Sequence, residues 1–289
     1  MNDNYKYRFG KVVYDLNART YIMGILNVTP DSFSDGGKFI QTQDAVDHAL
    51  KMVQDGADFI DVGGQSSRPG ADEVSVQEEL DRVIPVIKKV SGETNIPISV
   101  DTYRSAVAEE ALNNGACMVN DISALNADPE MPKVIAAHKA SCVLMHMQGT
   151  PKDMQLNPKY ENLPNEVLSY LEKSIWKANT EGIDQIIVDP GFGFGKNVDH
   201  NLMLIKYLPQ FKKLDCPVMI GISRKSTIGK ILKTEVDGRL EGTLALNSIA
   251  IINGANILRV HDITENVRIA RVVDEYRSVK KRYSLYLKN

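Results

Sequence analysis

Cysteine is scarce in this 289-residue chain, and Cys117, Cys142 and Cys216 lie far apart. There is no CxxC pair and no metal-ligand spacing, so the sequence indicates neither a disulfide framework nor a cysteine-bound metal. Each thiol falls in or beside an apolar run, which predicts a small buried residue in the reduced form. We therefore expect a cytoplasmic protein.

Long apolar segments and a strong net charge are also missing. No run approaches the ~18 residues of a membrane span, and the opening residues MNDNYKYRFGK lack the apolar stretch of a signal peptide. The formal charge is −3, from 34 basic and 37 acidic side chains. We expect neither nucleic acid nor membrane as a partner, although a local anion site is compatible with this balance.

Eight short, almost continuously apolar runs recur along the chain, with amphipathic segments between them. Such runs are typical of strands buried on both faces of a parallel sheet. The runs begin at Tyr21, Asp58, Pro97, Ala116, Ser141, Asp184, Pro217 and Asn256. Apolar residues at helical spacing occur in segments 45–56, 76–90, 163–179 and 240–253.

This alternation predicts an α/β fold, a single (β/α)8 TIM barrel, with an open parallel sheet as the alternative. A barrel typically needs ~250 residues, and no linker or low-complexity segment divides the chain. We therefore predict one domain over residues 1–289. Residues 7–16 are expected to form a short N-terminal β-hairpin that plugs the barrel bottom or covers a sheet edge.

Polar residues stand at the end of every predicted barrel strand, where the active site of this fold forms. They are Asn27, Asp61, Asp101, Asn120, Asp121, His146, Asp189, Ser223, Arg224, Lys225, Arg259, His261 and Asp262. Single members have structural explanations. Asp121 and Asp262 are candidate helix N-caps, Asp61 a candidate ligand of loop amides, and His146 a candidate packed histidine. The ring as a whole indicates a polar active site.

The last two predicted strands end in a dense cationic set, at the position where barrels often bind phosphate. Its members are Ser223, Arg224, Lys225, Arg259 and His261. Arginine offers a fork that matches phosphate oxygens, and lysine acts as a point charge. The set predicts an anion site, with a surface basic patch as the structural alternative.

The segment GFGFGK (191–196) resembles a phosphate-binding loop, but its lysine comes one residue early and Asn197 replaces Ser or Thr. We interpret it as a flexible loop in which Phe192 and Phe194 offer aromatic faces. No HExxH pattern occurs. A metal held by one amide and by phosphates would suit Mg²⁺, which needs few protein ligands.

Eight collinear motifs span nearly the whole chain. GILNVTPDSFSDGG (24–37) and DPGFGFGK (189–196) are the most specific. The others are DVGGQSSRPG (61–70), SVDTYR (99–104), NDI (120–122), LMHMQG (144–149), SRKS (223–226) and RVHD (259–262). Together they resemble the dihydropteroate synthase family. The resemblance implies a folate-pathway transferase that condenses 6-hydroxymethyl-7,8-dihydropterin diphosphate with p-aminobenzoate. It also implies a homodimer that is a sulfonamide target.

The resemblance also implies roles for individual residues, first at the pterin. Asp189 would accept two N–H bonds from the amino-pyrimidine edge. Asn120 would read a mixed donor and acceptor edge, and Lys225 would bind the carbonyl side. Apolar walls would come from Ile122, Met145 and Phe194.

At the diphosphate, Asn27 would ligate Mg²⁺. Diphosphate oxygens would be held by Ser67, Arg68, Arg259 and His261. Ser223 would belong to the same anion site. Asp101 would stabilise the cationic pterin methylene, so Asn27, Asp101 and Lys225 form the expected catalytic set. Two glycine-containing loops, 28–39 and 64–72, would act as lids.

Three positions depart from the family pattern. The family commonly has GGESTRPG where Gln65 and Ser67 stand here, and a phenylalanine where Thr227 follows SRKS. These changes concern the p-aminobenzoate end of the site. Two alternatives stay open: a pterin-binding methyltransferase with a corrinoid partner, which would not need the cationic set, and a non-catalytic pterin-binding protein, which would not need the catalytic residues.

Overall fold

The computed structural model of the chain describes residues 5–29, 38–66 and 73–283. The strands in it are β1 (Lys6–Phe9), β2 (Val12–Asp15), β3 (Tyr21–Asn27), β4 (Phe59–Gly63), β5 (Ile98–Asp101), β6 (Met118–Asp121), β7 (Ser141–Met145), β8 (Ile186–Asp189), β9 (Met219–Ile220) and β10 (Ile257–Val260). The α-helices are α1 (Lys38–Gln54), α2 (Val76–Glu93), α3 (Ser105–Asn113), α4 (Met131–Ala137), α5 (Leu163–Thr180), α6 (Val198–Tyr207), α7 (Ser226–Leu232), α8 (Leu240–Ile252) and α9 (Ile263–Tyr283). Among these helices, none combines the length and apolar character needed to cross a membrane.

Strands β3 to β10 form one parallel sheet in the order β8-β7-β6-β5-β4-β3-β10-β9. The sheet closes between its two ends, because the Val188 amide donates to the Pro217 carbonyl at 2.9 Å and Val188 bridges to Val218 in parallel. Each of the eight apolar runs contains one of these strands, and the four helical segments fall in α1, α2, α5 and α8. The TIM-barrel prediction is confirmed, and the open sheet is excluded.

The hairpin of β1 and β2 seals the N-terminal end of the barrel. The Phe9 ring meets the Phe59 ring edge-on, with 4.9 Å between centroids. The Tyr7 hydroxyl donates to the Ile186 carbonyl at 2.9 Å. Both contacts join the hairpin to the first residues of barrel strands, so the plug expected from the sequence is confirmed.

Side chains inside the barrel stack in layers of four, because alternate residues of a strand point to the same face. The lowest layer comes from β4, β6, β8 and β10 and consists of Phe59, Met118, Ile187 and Ile257. The next comes from the other four strands and consists of Met23, Ser99, Val143 and Met219. The third layer returns to the first set of strands and consists of Asp61, Asn120, Asp189 and Arg259. An almost wholly apolar floor therefore supports a polar layer at the C-terminal end of the barrel.

Candidate active site

The polar layer is held together around Asp61, which is fully buried. Its Oδ2 atom accepts hydrogen bonds from Asn120 Nδ2 at 2.9 Å and from Arg259 Nε at 2.6 Å. Arg259 Nη2 also donates to Asp101 Oδ2 at 2.7 Å. Residues from β4, β5, β6 and β10 thus form one network, which unites three residues with predicted substrate contacts and Asp61, which was predicted only as a member of the polar ring.

The charged groups of this network shift one another's pKa values. Burial lowers the pKa of Arg259, but the carboxylates of Asp61 and Asp101 together raise it above its ordinary value. Burial raises the pKa of Asp101 to about 7, while Arg259 opposes that shift. Arg259 therefore stays charged, and Asp101 is a carboxylate whose negative charge is costly to keep without a cationic partner.

Asp189 and Lys225 form a second pair beside the network. Burial raises the pKa of Asp189, against the effect of Lys225, and burial lowers the pKa of Lys225 to about 8, against the effect of Asp189. Asp189 Oδ1 accepts the Gly191 amide at 2.7 Å. Lys225 Nζ lies 4.5 Å from the centroid of the Phe194 ring. A carboxylate and an ammonium group therefore flank an aromatic face.

The apolar wall of the site is a small cluster separate from the main core. Ile122, Met145 and Phe194 are brought together as expected, and Met154 completes the cluster. Tyr103 packs against it. A flat ring bound here would meet apolar atoms on its faces and the polar groups of Asp189 and Lys225 at its edge.

The loop from 191 to 196 differs from the flexible loop expected from its glycines. Phe192 is fully buried in the core between strands and helices, and only Phe194 contributes to the site wall. A side-chain hydrogen bond anchors each of four successive carbonyls. The donors to the carbonyls of residues 192, 193, 194 and 195 are Lys225, Gln155, Lys196 and Tyr160. The expectation of two aromatic faces is therefore wrong, because the loop is packed on both sides.

Gly191 in this loop has no room for a side chain. Its φ is +73°, and an added Cβ would lie 1.8 Å from the His146 carbonyl oxygen. We expect Gly191→Ala to lower the free energy of unfolding by about 3 kcal/mol, from left-handed strain and displaced backbone. Gly182→Ala is the control, because Gly182 has φ +85° but no atom within 4 Å of the added Cβ. Equal losses of unfolding free energy in the two variants, measured by urea unfolding, would contradict the packing argument.

His146 is buried and bonded to the same loop. Lys196 Nζ lies 2.8 Å from His146 Nδ1 and 2.9 Å from the Phe194 carbonyl oxygen. Burial lowers the pKa of Lys196 well below its ordinary value and that of His146 to about 2. An ammonium group only donates, so His146 Nδ1 is the acceptor when Lys196 is charged. The reading of His146 as a packed, hydrogen-bonded histidine is confirmed.

This histidine should make the protein less stable in mild acid. An unfolded histidine takes up a proton below pH ~6.5, whereas folded His146 does so only near pH 2. The unfolded state therefore binds more protons, and stability falls as the pH drops below ~6.5. We expect His146→Gln to reduce the slope of unfolding free energy against pH by about 1 kcal/mol per unit between about pH 6 and pH 5. Identical slopes for wild type and variant would count against this assignment.

The cationic set divides into two parts. His261 Nδ1 lies 3.0 Å from Ser223 Oγ, which also accepts the His261 amide at 3.2 Å. Arg224, at φ +57°, instead pairs through Nε and Nη2 with both carboxylate oxygens of Asp262. The expected anion site therefore retains Ser223, Lys225 and His261, which lie close to the strand of Arg259. Arg224 is not part of it, because its guanidinium is paired with Asp262.

The two candidate N-caps also have other partners. Asp262 pairs with Arg224 as described. Asp121 accepts the Ser123 amide and hydroxyl on Oδ1 and the Leu125 amide on Oδ2, at 2.7–2.8 Å. It organises the turn after β6, whereas α4 begins ten residues later at Met131. The side chain of Asp121 thus shapes the segment that carries Ile122.

Asn27 lies at the end of β3 beside Asp101. A Cβ placed on Gly63 would be 3.5 Å from Asp101 Cβ and 3.8 Å from Asn27 Oδ1, so the two side chains flank this glycine. An amide oxygen next to a carboxylate suits a hard cation such as Mg²⁺. In the part of the chain that the structure describes, no group of three or more His, Cys, Asp or Glu side chains could hold a metal. The donor set fits an ion that takes most of its ligands from a bound diphosphate and water.

The departures from the family pattern lie around the site. Gln65 Nε2 donates to the Tyr103 hydroxyl at 2.8 Å, and its buried Oε1 has no hydrogen-bond partner among the described residues. Thr227 Oγ1 accepts Asn201 Nδ2 at 2.8 Å, and Asn201 Oδ1 accepts the Gly193 amide at 2.7 Å. Thr227 therefore supports the 191–196 loop. Ser67, Arg68 and most of both expected lids lie outside the described residues.

A barrel with this polar layer and apolar wall at the C-terminal ends of its strands has the architecture of a TIM-barrel enzyme site. A family model described as "Pterin binding enzyme" matches residues 23–261, and the chain belongs to that family. Within it, the chain belongs to the dihydropteroate synthases. It is 47% identical over 268 residues to the dihydropteroate synthase of Synechocystis sp., covering 92% of this chain and 93% of that protein. It is also 47% identical over 270 residues to that of Escherichia coli K12, covering 92% and 95%.

Solved structures of dihydropteroate synthases share the fold. One from Yersinia pestis, in complex with a sulfonamide drug, has a TM-score of 0.89 and 41% identity over 94% of this chain and 99% of its own. One from Xanthomonas albilineans, in complex with 7,8-dihydropteroate, has a TM-score of 0.84 and 37% identity over 95% and 98%. The resemblance read from the motifs is confirmed.

Proposed function

We propose that the protein catalyses the dihydropteroate synthase reaction. It joins 6-hydroxymethyl-7,8-dihydropterin diphosphate to p-aminobenzoate and releases 7,8-dihydropteroate and diphosphate. The observation that carries the proposal is that Asp189 and Lys225 shift each other's pKa, that Lys225 lies against Phe194 of the apolar wall, and that Arg259 lies on β10, the neighbour of the strand that precedes Lys225. That arrangement offers a site for a flat polar heterocycle next to a site for an anion. A relative from Xanthomonas albilineans was solved with 4-aminobenzoic acid, which fits the second substrate.

The pterin ring binds by its edge and its faces. Asp189 accepts N–H bonds from the amino-pyrimidine edge, and Lys225 donates to the carbonyl side. Asn120 completes the edge contacts with an amide that both donates and accepts. Ile122, Met145 and Phe194 cover the faces. The buried setting strengthens each polar contact, because water does not compete there.

The diphosphate binds at the opposite end of the pterin. Its oxygens are held by Arg259, Ser223 and His261, joined by Ser67 and Arg68 from the second lid. Asn27 supplies an amide oxygen for Mg²⁺, which when bound would neutralise charge on the diphosphate. Arg259 retains N–H donors beyond the two that it gives to Asp61 and Asp101, so it can add a contact to the anion without leaving its place.

The residues of the chain act on a reaction in which the leaving group departs first, since an arylamine is a weak nucleophile. Asp101 stabilises the cationic pterin methylene that develops, and its largely shielded carboxylate does so with little competition from water. Lys225 stabilises the electron-rich side of the ring. The amine of p-aminobenzoate then attacks the methylene and loses a proton.

The function is tested by mixing protein, Mg²⁺, the pterin diphosphate and p-aminobenzoate, and measuring released diphosphate. Release that requires p-aminobenzoate supports the synthase, and a sulfonamide should compete with that substrate. Pterin binding without release would favour the binding protein, and methyl transfer from a methyl-folate to a corrinoid would favour the methyltransferase. The Arg259 and His261 end of the site favours the synthase, since a methyltransferase has no diphosphate to hold.

We propose a homodimer and a single domain over residues 1–289. Helix α8 is apolar nearly all round, and Ile249 and Ile252 are about half exposed on it. We expect Ile249→Glu to halve the mass measured by light scattering, because an ionised carboxylate would be buried at the interface. Trp176→Glu, a highly exposed position on α5, is the control and should leave the mass unchanged.

A cytoplasmic location stays a prediction.

A further inference from the structure

Three of the four residues in the polar layer have a place in the proposed reaction, and Asp61 is the fourth. Its side chain is completely buried, so it is not placed to meet solvent. Both of its described hydrogen bonds arrive at Oδ2, from Asn120 on β6 and Arg259 on β10. Its Oδ1 has no hydrogen-bond partner among the described residues. A buried carboxylate is costly unless it is compensated, so this one depends on its two neighbours.

The contact with Asn120 fixes which atoms of the Asn120 amide remain available to another partner. A carboxylate can only accept hydrogen bonds, so the group turned toward Asp61 must be the Asn120 NH₂. The Oδ1 atom of Asn120 and one Nδ2 hydrogen are left for a different partner. With an apolar group at position 61, either end of the amide could turn inward.

The contact with Arg259 fixes the plane of the guanidinium. Asp61 holds Nε at 2.6 Å from one strand, and Asp101 holds Nη2 at 2.7 Å from the next. Two carboxylates on different strands define the orientation of a planar group, because its donors lie in a rigid fork. The remaining donors then point in a set direction, independent of whether an anion is present.

We propose that Asp61 is a positioning residue, which acts through Arg259 on the diphosphate and through Asn120 on the pterin. The proposal rests on the proposed function of the site. In this role Asp61 acts without touching either substrate. Its effect is to preorganise two side chains that would otherwise have to be ordered when the pterin diphosphate binds.

The variant that tests this is Asp61→Asn, which keeps the size but replaces the charge-assisted bond to Arg259 by a weaker neutral one. We expect kcat/KM for the pterin diphosphate to fall by about 10- to 100-fold, the usual effect of losing a residue that orients a ligand. The KM for p-aminobenzoate should stay near the wild-type value, because Asp61 has no contact toward that substrate.

A matched control lies just before the other end of β4. Asp58 is also a nearly buried aspartate paired with an arginine. It accepts Arg19 Nη1 and the Ile22 amide, both at 2.9 Å. Asp58→Asn should lower stability without changing either KM or kcat. An equal kinetic loss in Asp58→Asn would reduce the role of Asp61 to general stability and overturn the proposal.

A double-mutant cycle separates positioning from an independent effect. Binding of inorganic diphosphate is measured by calorimetry in wild type, Asp61→Asn, Arg259→Met and the double variant. If Asp61 acts through Arg259, Asp61→Asn weakens binding in wild type and has no further effect once Arg259 is gone. The proposal would be overturned if the double variant bound diphosphate more weakly than Arg259→Met alone. Unchanged binding in Asp61→Asn would also overturn it.

This readout does not require turnover. Diphosphate binding with the expected cycle, but no release in the assay, would contradict the proposed reaction and keep the positioning role. Should Asp61→Asn fail to fold, Asp61→Ser, a smaller side chain that keeps one oxygen acceptor, carries the same expectations and the same contrary outcomes.

Discussion

Replacing Asp101 by asparagine should lower kcat by about 100- to 1,000-fold, the usual effect of removing one preorganised electrostatic group. The carboxylate lies at the end of β5, largely shielded from solvent and paired with Arg259. Its proposed task is to stabilise positive charge on the pterin methylene, which exists only as the diphosphate departs. Asparagine keeps the shape but not the charge, so the loss should appear in the transition state and not in the ground state.

Two binding measurements separate this role from a general defect. Pterin affinity, measured by calorimetry, should change little, because Asp189 and Lys225 still hold the ring edge. Affinity for inorganic diphosphate should change little, because Asp61 still holds Arg259 Nε in place. Asp58→Asn serves again as the buried-aspartate control. Near-normal turnover in Asp101→Asn would remove Asp101 from its assigned role.

The barrel strands could be read from the sequence because each is buried on both faces and therefore continuously apolar. The shorter helices could not. Helix α4 has only seven residues with proline at its start, and α7 has seven residues that include a glycine. Two turns are too few for a helical period to stand out from the surrounding sequence.

The candidate site was predicted as a set of strand ends but not as a set of partners. Asp61 was assigned to loop amides, whereas its partner Arg259 lies 198 positions away in the chain. Arg224 stands beside Lys225 in sequence, yet its positive φ accompanies a pairing with Asp262 outside the network. Pairing across a barrel depends on which layer each residue occupies. The strand ends alone do not give that layer, because the strands end at different heights in the barrel.

The glycines of the 191–196 segment show a related limit. Their spacing was read as freedom of the backbone, but an added Cβ on Gly195 would lie 2.5 Å from the Gln148 carbonyl oxygen. Glycine is needed there for close approach between two loops, and also for its positive φ of +63°. The sequence shows that a glycine is present. Only the structure shows whether that glycine serves a flexible backbone or a close contact between two loops.

Asp189→Asn should weaken pterin binding by about 1,000-fold, which corresponds to about 4 kcal/mol. The Gly191 amide holds Asp189 Oδ1 at 2.7 Å in a loop that is packed on both sides. In the variant, the amide oxygen should keep that bond, because an NH₂ group cannot accept it. The NH₂ then replaces Oδ2, the atom left to meet the N–H groups of the pterin edge. Two donors would face each other where a charge-assisted bond of about 1.5–3 kcal/mol existed.

The loss should be confined to the pterin. Calorimetry with the pterin alone should show the weakened affinity, while inorganic diphosphate, held at the Arg259 end, should bind as in wild type. Asp58→Asn, measured in parallel, controls for the loss of a buried aspartate charge. A pterin affinity within about tenfold of wild type, equivalent to about 1.4 kcal/mol, would mean that Oδ2 does not meet the ring edge. Asp189 would then serve only to hold the Gly191 turn, and recognition of the ring would fall to Asn120 and Lys225.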